Sequence, residues 1–159
     1  MKKLIHIFLI VIVFFLLIAP LLTLIHELGH AVIPLLKNDK VSIHIGSEVL
    51  FKSEFGDLTL SYGNPYQPWI GYTHWNNYNG IWAIILGPMF SLFIAIILFY
   101  ISLKIKSKFI LSFLIYMAIG WSGFQFLFTS LPLSYPKEMG YPAETYSDGM
   151  RIYEYFNKR

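Results

Sequence analysis

Leu21-Leu22-Thr23-Leu24-Ile25-His26-Glu27-Leu28-Gly29-His30-Ala31-Val32-Ile33-Pro34-Leu35-Leu36 is the stretch on which the fold turns. It closes an apolar run that begins at Leu4, and between Lys3 and Lys37 the only formally charged side chain is Glu27. An unpaired charge at the centre of a bilayer costs on the order of 3 kcal/mol or more. An ionisable residue inside such a segment is therefore a functional candidate by default. On a helix His26 and His30, four residues apart, share one face a turn apart, so both imidazoles can converge on one metal ion. Glu27 projects beside that face, placed to act on water without being a ligand. The bland reading of the same trio is a buried polar network.

The rest of the chain reads as a mainly α membrane protein. Of its 159 residues 56% are hydrophobic and 13% charged, with a mean hydropathy of +0.57. Soluble domains carry about 25% charged residues. Two further apolar segments, at about 81–103 and 109–131, are long enough to cross a hydrocarbon core about 30 Å thick at about 1.5 Å per residue. The first segment, about 4–36, is too long for one straight perpendicular span. Tilt, protrusion, or a kink at Pro20 or Pro34 would absorb the excess. Met1-Lys2-Lys3 ahead of an apolar run also resembles a secretory signal peptide, but no small-x-small cleavage site follows it.

The net charge is +3, and Lys and Arg sit where the apolar segments end. That distribution marks the lipid bilayer as a partner and argues against nucleic acid. Lys2 and Lys3, with Lys104, Lys106 and Lys108, put the N-terminus on the cytoplasmic side and residues 37–80 outside. Cysteine is absent, so a metal site must draw on five His and nine carboxylates.

Between the first two spans lies a polar insertion, β-rich over about 40–62. Val41–Ile45 and Leu58–Tyr62 alternate apolar and polar residues, and strand-like residues 48–55 lead into a turn at Gly56-Asp57. The pattern predicts two or three short antiparallel strands, a hairpin at the membrane surface. Residues 62–82 mix Gly and Pro with Tyr62, Tyr66, Trp69, Tyr72, Trp75, Tyr78 and Trp82, which reads as an interfacial aromatic belt. Residues 132–159 are expected to form a loop and a short helix.

A catalytic zinc site usually takes three protein ligands and keeps one position open. His44, His74, Glu48, Glu54, Asp57, Glu138, Glu144 and Asp148 are all candidates for the third ligand. In Ser147-Asp148-Gly149 either Ser147 or Asp148 could instead cap the helix that follows. Zinc held by such a set generates a nucleophile from water near neutral pH and polarises a carbonyl. A nearby carboxylate moves the proton to the leaving amine.

Three elements, in this order, resemble the site-2 protease family of intramembrane zinc metalloproteases: His26-Glu27-Leu28-Gly29-His30, Gly87-Pro88 early in the next span, and Leu131-Pro132 followed by Asp148-Gly149. The resemblance covers nearly the whole chain. It implies one Zn2+ held by His26, His30 and Asp148, Glu27 as general base, and a membrane-protein substrate cut in or near a transmembrane segment. It also implies a membrane-associated sheet whose edge receives unwound substrate, sought here in residues 41–62. The chain reads as a minimal core of that family, without PDZ or CBS domain. It departs from the family pattern at two positions, Thr129 and Ser91, where Asn is usual; both are candidate substrate or oxyanion contacts.

Two rivals stand beside that expectation. Glu144-Thr145-Tyr146-Ser147-Asp148 fits another metalloprotease class in which Glu144 would be the third ligand. A non-catalytic membrane protein could instead keep a structural zinc and bind a transmembrane partner. The sequence specifies no oligomeric state.

Overall fold

A computed structural model of the chain describes residues 2–63, 67, 70–105, 109–135 and 145–157. Helix α1 (Lys2–Val13) runs through a π-helical turn (Phe14–Ile18) into α2 (Ala19–Leu36). Pro20 lacks the N–H that would close an α turn on Leu16, and the helix widens just ahead of it: Ala19 N–H reaches back five residues to Phe14 O. The expected accommodation at Pro20 is thus a local widening of a continuous helix. Pro34 lies inside α2 without ending it. Asn38 ends it by turning left-handed at φ 56°, and Asp39 N–H then donates to Pro34 O at 3.0 Å.

Helices α3 (Ile81–Lys104) and α4 (Phe109–Ser130) are the next two long apolar elements. Among the described residues three helices are long and apolar enough to cross a membrane: Leu4–Leu36, Ile81–Lys104 and Phe109–Ser130. They pack around Phe14, Ala19, Leu22 and Ala118, with Ile94, Leu98, Leu114 and Trp121 against them. A last helix, α5 (Asp148–Asn157), packs on α3 and α4.

The sheet differs from the expected antiparallel hairpin. It has four strands, β1 (Val41–Ile45), β2 (Phe51–Phe55), β3 (Leu58–Tyr62) and β4 (Gly71–Trp75), in the order β2-β3-β1-β4. β2 and β3 form the predicted hairpin, and Gly56 takes φ 61° in its two-residue turn. β1 and β3, however, run parallel. The fourth strand comes from the stretch read as an aromatic belt and pairs antiparallel to β1; Tyr66 and Trp69 of that belt lie outside the described residues. Val41, Ile43 and Ile45 face α2, packing with Ala31 and against Leu28, Leu58, Leu60 and Trp75. Thr73 is the register partner of Ile43, and Gly71 that of Ile45. The period-two pleat therefore turns both toward α2 as well.

Candidate metal centre

His26 and His30, one turn apart on α2, are both buried, as is Asp148 at the start of α5. His26 Nε2 and His30 Nε2 lie 3.3 Å apart. Asp148 Oδ2 is 3.4 Å from the first and 3.3 Å from the second. These three residues form a group that could hold a metal ion, and they are the one such group among the described residues.

The side lengths of this triangle discriminate between two explanations. A charge-assisted N–H···O hydrogen bond is about 2.7–2.9 Å long, shorter than either contact to Asp148. Two ligands about 2.05 Å from a tetrahedral ion are held about 3.3 Å apart. The observed spacing fits the second case.

The outer ring nitrogens point the same way. His30 Nδ1 lies 2.7 Å from Ala83 O, and a carbonyl can only accept, so the proton sits on Nδ1. In the neutral ring Nε2 then presents a bare lone pair to the centre. His26 Nδ1 is 2.9 Å from Ser91 Oγ, a partner that lets it adopt the same tautomer. Gly87 makes room for this arrangement, because a Cβ there would collide with the His30 ring at Nε2 and Cε1. Gly29 does the same for the helices, since its own Cβ would lie 2.6 Å from Leu86 O.

The capping question at Ser147-Asp148 has a definite answer. Ser147 Oγ accepts from Met150 N–H at 3.2 Å and from Leu133 N–H at 2.9 Å, and donates to Leu131 O. Ser147 is the cap, and the Asp148 carboxylate is left for the imidazoles. Ser147 N–H also donates to Leu133 O at 2.9 Å, and Ser134 bridges Tyr146. The end of α4 thus clamps the start of α5.

Glu27 is buried beside the triangle without belonging to it. The Thr73 hydroxyl donates to Glu27 Oε2 at 2.7 Å and lies 3.1 Å from its backbone carbonyl. A Cβ on Gly71 would stand 2.7 Å from Glu27 Oε1. Edge strand β4 therefore lies directly over the carboxylate. The sheet edge at the site is β4, not a strand within 41–62. A cavity of about 270 Å³ is lined by His26, Glu27, His30 and Asp148 together with Gly71, Thr73, Gln125 and Arg151.

The other sequence candidates lie apart. His44 stacks on Tyr72, with ring centroids 4.5 Å apart, and Glu54 pairs with Lys52 at 2.7 Å. Glu48 in the loop after β1, Asp57 in the β2–β3 turn and His74 on β4 are all exposed. Glu138 and Glu144 lie outside the described residues. Ser91 bonds His26 rather than facing the cavity, and Thr129, which lines it, donates its hydroxyl to Gln125 O at 2.8 Å. Sequence reasoning passed over Thr73 and Gln125. Thr73 hid in the aromatic stretch, but Gln125 carried a signal as the one side-chain amide in the third apolar segment.

Comparisons of the chain with family models, with curated proteins and with solved structures give no match.

Proposed function

We infer that the chain is a zinc-dependent intramembrane endopeptidase that hydrolyses a peptide bond in or near a transmembrane segment of a membrane-protein substrate. The observation that carries this is the ligand triangle of 3.3–3.4 Å sides with Glu27 lining the same cavity. His26, His30 and Asp148 would hold one Zn2+, a borderline ion suited to two imidazoles and a carboxylate. Bound there, it would supply Lewis-acid polarisation of the scissile carbonyl and a water nucleophile at neutral pH.

The protein's own residues do the remainder. Glu27 takes a proton at its carboxylate and returns it to the leaving amine. Thr73 fixes the carboxylate rotamer through Oε2. Ser91 and Ala83 O orient the two imidazoles. The bilayer is the fitting solvent, since α3 alone leaves Trp82, Phe93, Ile96, Phe99 and Tyr100 more than half exposed. The Lys distribution favours a cytoplasmic N-terminus, and likeness to the site-2 protease family in motif order supports the same activity.

The test is cleavage of a membrane-embedded reporter helix by purified wild type and Glu27→Gln, with zinc measured in both. Wild type is expected to cut, and Glu27→Gln to hold zinc without cutting. Equal behaviour of the two with zinc bound would sink the peptidase function.

A second reading, a zinc-stabilised membrane protein that binds a transmembrane partner without cutting it, is favoured by one observation. The hydroxyls of Ser91 and Thr129 are both engaged within the protein. The same experiment separates the two.

A further inference from the structure

The α4 wall of the cavity carries two polar groups that the hydrolytic machinery does not use. Gln125 is 9% exposed. Its Nε2 donates to Thr23 Oγ1 at 3.1 Å, while its Oε1 is buried with no hydrogen-bond partner. One turn earlier, the Trp121 ring packs edge-on against Phe14 and Phe15, and its Nε1–H is also buried and unpartnered. Both residues line the cavity that holds His26 and Glu27. A buried polar group left unsatisfied costs about 1–3 kcal/mol. Two of them on one face of an apolar helix call for an explanation.

Their chemistry is complementary and so is their place. Gln125 Oε1 can only accept and Trp121 Nε1–H can only donate. At positions i and i+4 they sit on the same helix face about 6 Å apart in rise. The bond to Thr23, one turn before Glu27 on α2, ties the amide next to the base. A ligand that satisfies both must offer an N–H and a C=O at adjacent points, which a peptide backbone does. A helical segment cannot, because its backbone groups bond one another; an extended one can.

We propose that Gln125 and Trp121 form a peptide-backbone subsite that receives one N–H and one C=O of an extended substrate segment beside Glu27, a proposal that rests on the peptidase function inferred above. The subsite recognises backbone groups rather than side chains.

The experiment uses the full chain in detergent micelles, zinc-loaded and carrying Glu27→Gln so that nothing is cleaved. The probe is a fluorescein-labelled octapeptide of Leu, Ala and Val, with the set of analogues N-methylated at one position each, read by fluorescence anisotropy. One N-methyl position is expected to weaken binding about 10-fold, the value of one buried hydrogen bond. Gln125→Met should weaken the parent peptide equally, with no further loss when the two changes are combined. Trp121→Phe, which keeps the ring and loses the N–H, should weaken the parent peptide several-fold and provides the reading if Gln125→Met does not fold. Unchanged affinity in Gln125→Met, or losses that multiply at every position, would overturn the subsite while leaving a zinc-loaded, peptide-cleaving wild type as a peptidase. Zinc-loaded protein that binds none of the peptides and cuts no reporter would overturn both.

Discussion

Thr73 and Glu27 are joined across the interface between sheet and helix, hydroxyl to carboxylate at 2.7 Å. The strand that supplies Thr73 is an edge strand, so the group that sets the position of the buried carboxylate belongs to the most displaceable part of the sheet.

Thr73→Val keeps the shape and removes the donor. If the proposed peptidase function holds, loss of one hydrogen bond to a charged group should lower kcat about 10-fold or more, with zinc content unchanged. Thr73→Ser should restore most of the rate. Reporter cleavage kinetics alongside zinc stoichiometry check this, and an unaffected kcat in the Val variant would remove Thr73 from the machinery.

Ser91→Ala deprives His26 of its outer partner. Loss of such support typically weakens metal affinity about 10- to 100-fold, which a zinc titration against a competing chelator would read. Asp148→Asn, which converts the candidate ligand carboxylate into a neutral amide, should weaken it further than Ser91→Ala. The opposite ranking would contradict the ligand set.

Gly87→Ala places a methyl group against the His30 ring. The contact is with a buried imidazole of the triangle rather than with a flexible surface group, so the ring must leave the triangle or α3 must shift. Metal affinity should drop by at least the amount seen for Ser91→Ala, with helix content by circular dichroism preserved. Full zinc affinity in this variant would show that α3 can withdraw at no cost.

Asp39 carries the pH dependence of the junction between α2 and the sheet. Backbone N–H of Asn77 holds its carboxyl below the usual range, burial opposes this, and Tyr78 N–H adds to the lowering. The bonds are 2.8 and 2.9 Å long. Because the folded value is depressed, the stabilisation is fully present above the unfolded value near pH 4 and is lost as pH falls through the folded one. Thermal melts in detergent should show wild type losing stability below about pH 4, and Asp39→Asn should start lower and fall less steeply. Parallel acid limbs for the two proteins would refute the assignment.

The long helices were legible in the sequence because uninterrupted apolar runs have one structural meaning at that length. The spacing of His26 and His30 was legible because the helical period fixes it. The pairing of β1 with β3 was not, since alternation along a strand reports which face is buried and nothing about the neighbour or its direction. β4 was missed because two of its inward residues are Gly71 and Thr73, chosen for the carboxylate above them, so no apolar alternation marks the strand. Local pattern could not separate Ser147 from Asp148 as the cap, because both are good caps. The decision comes from Leu131 and Leu133, to which Ser147 is bound at a distance in sequence. The engagement of Thr129 with Gln125 O is likewise invisible in the sequence, as a hydroxyl can bond its own helix or face a cavity.

Asp148 follows His30 by more than a hundred residues, and its position depends on the clamp between the end of α4 and the start of α5. During synthesis the two imidazoles and Glu27 are made early, yet the trio with a carboxylate can form only after three long apolar helices have been laid side by side. Chains grow at about 5–20 residues per second, so for several seconds the newborn protein holds an unfinished centre. The group that could hold an ion is thereby completed only when the last helix is in place, so assembly of the fold sets the moment at which the centre can first be filled.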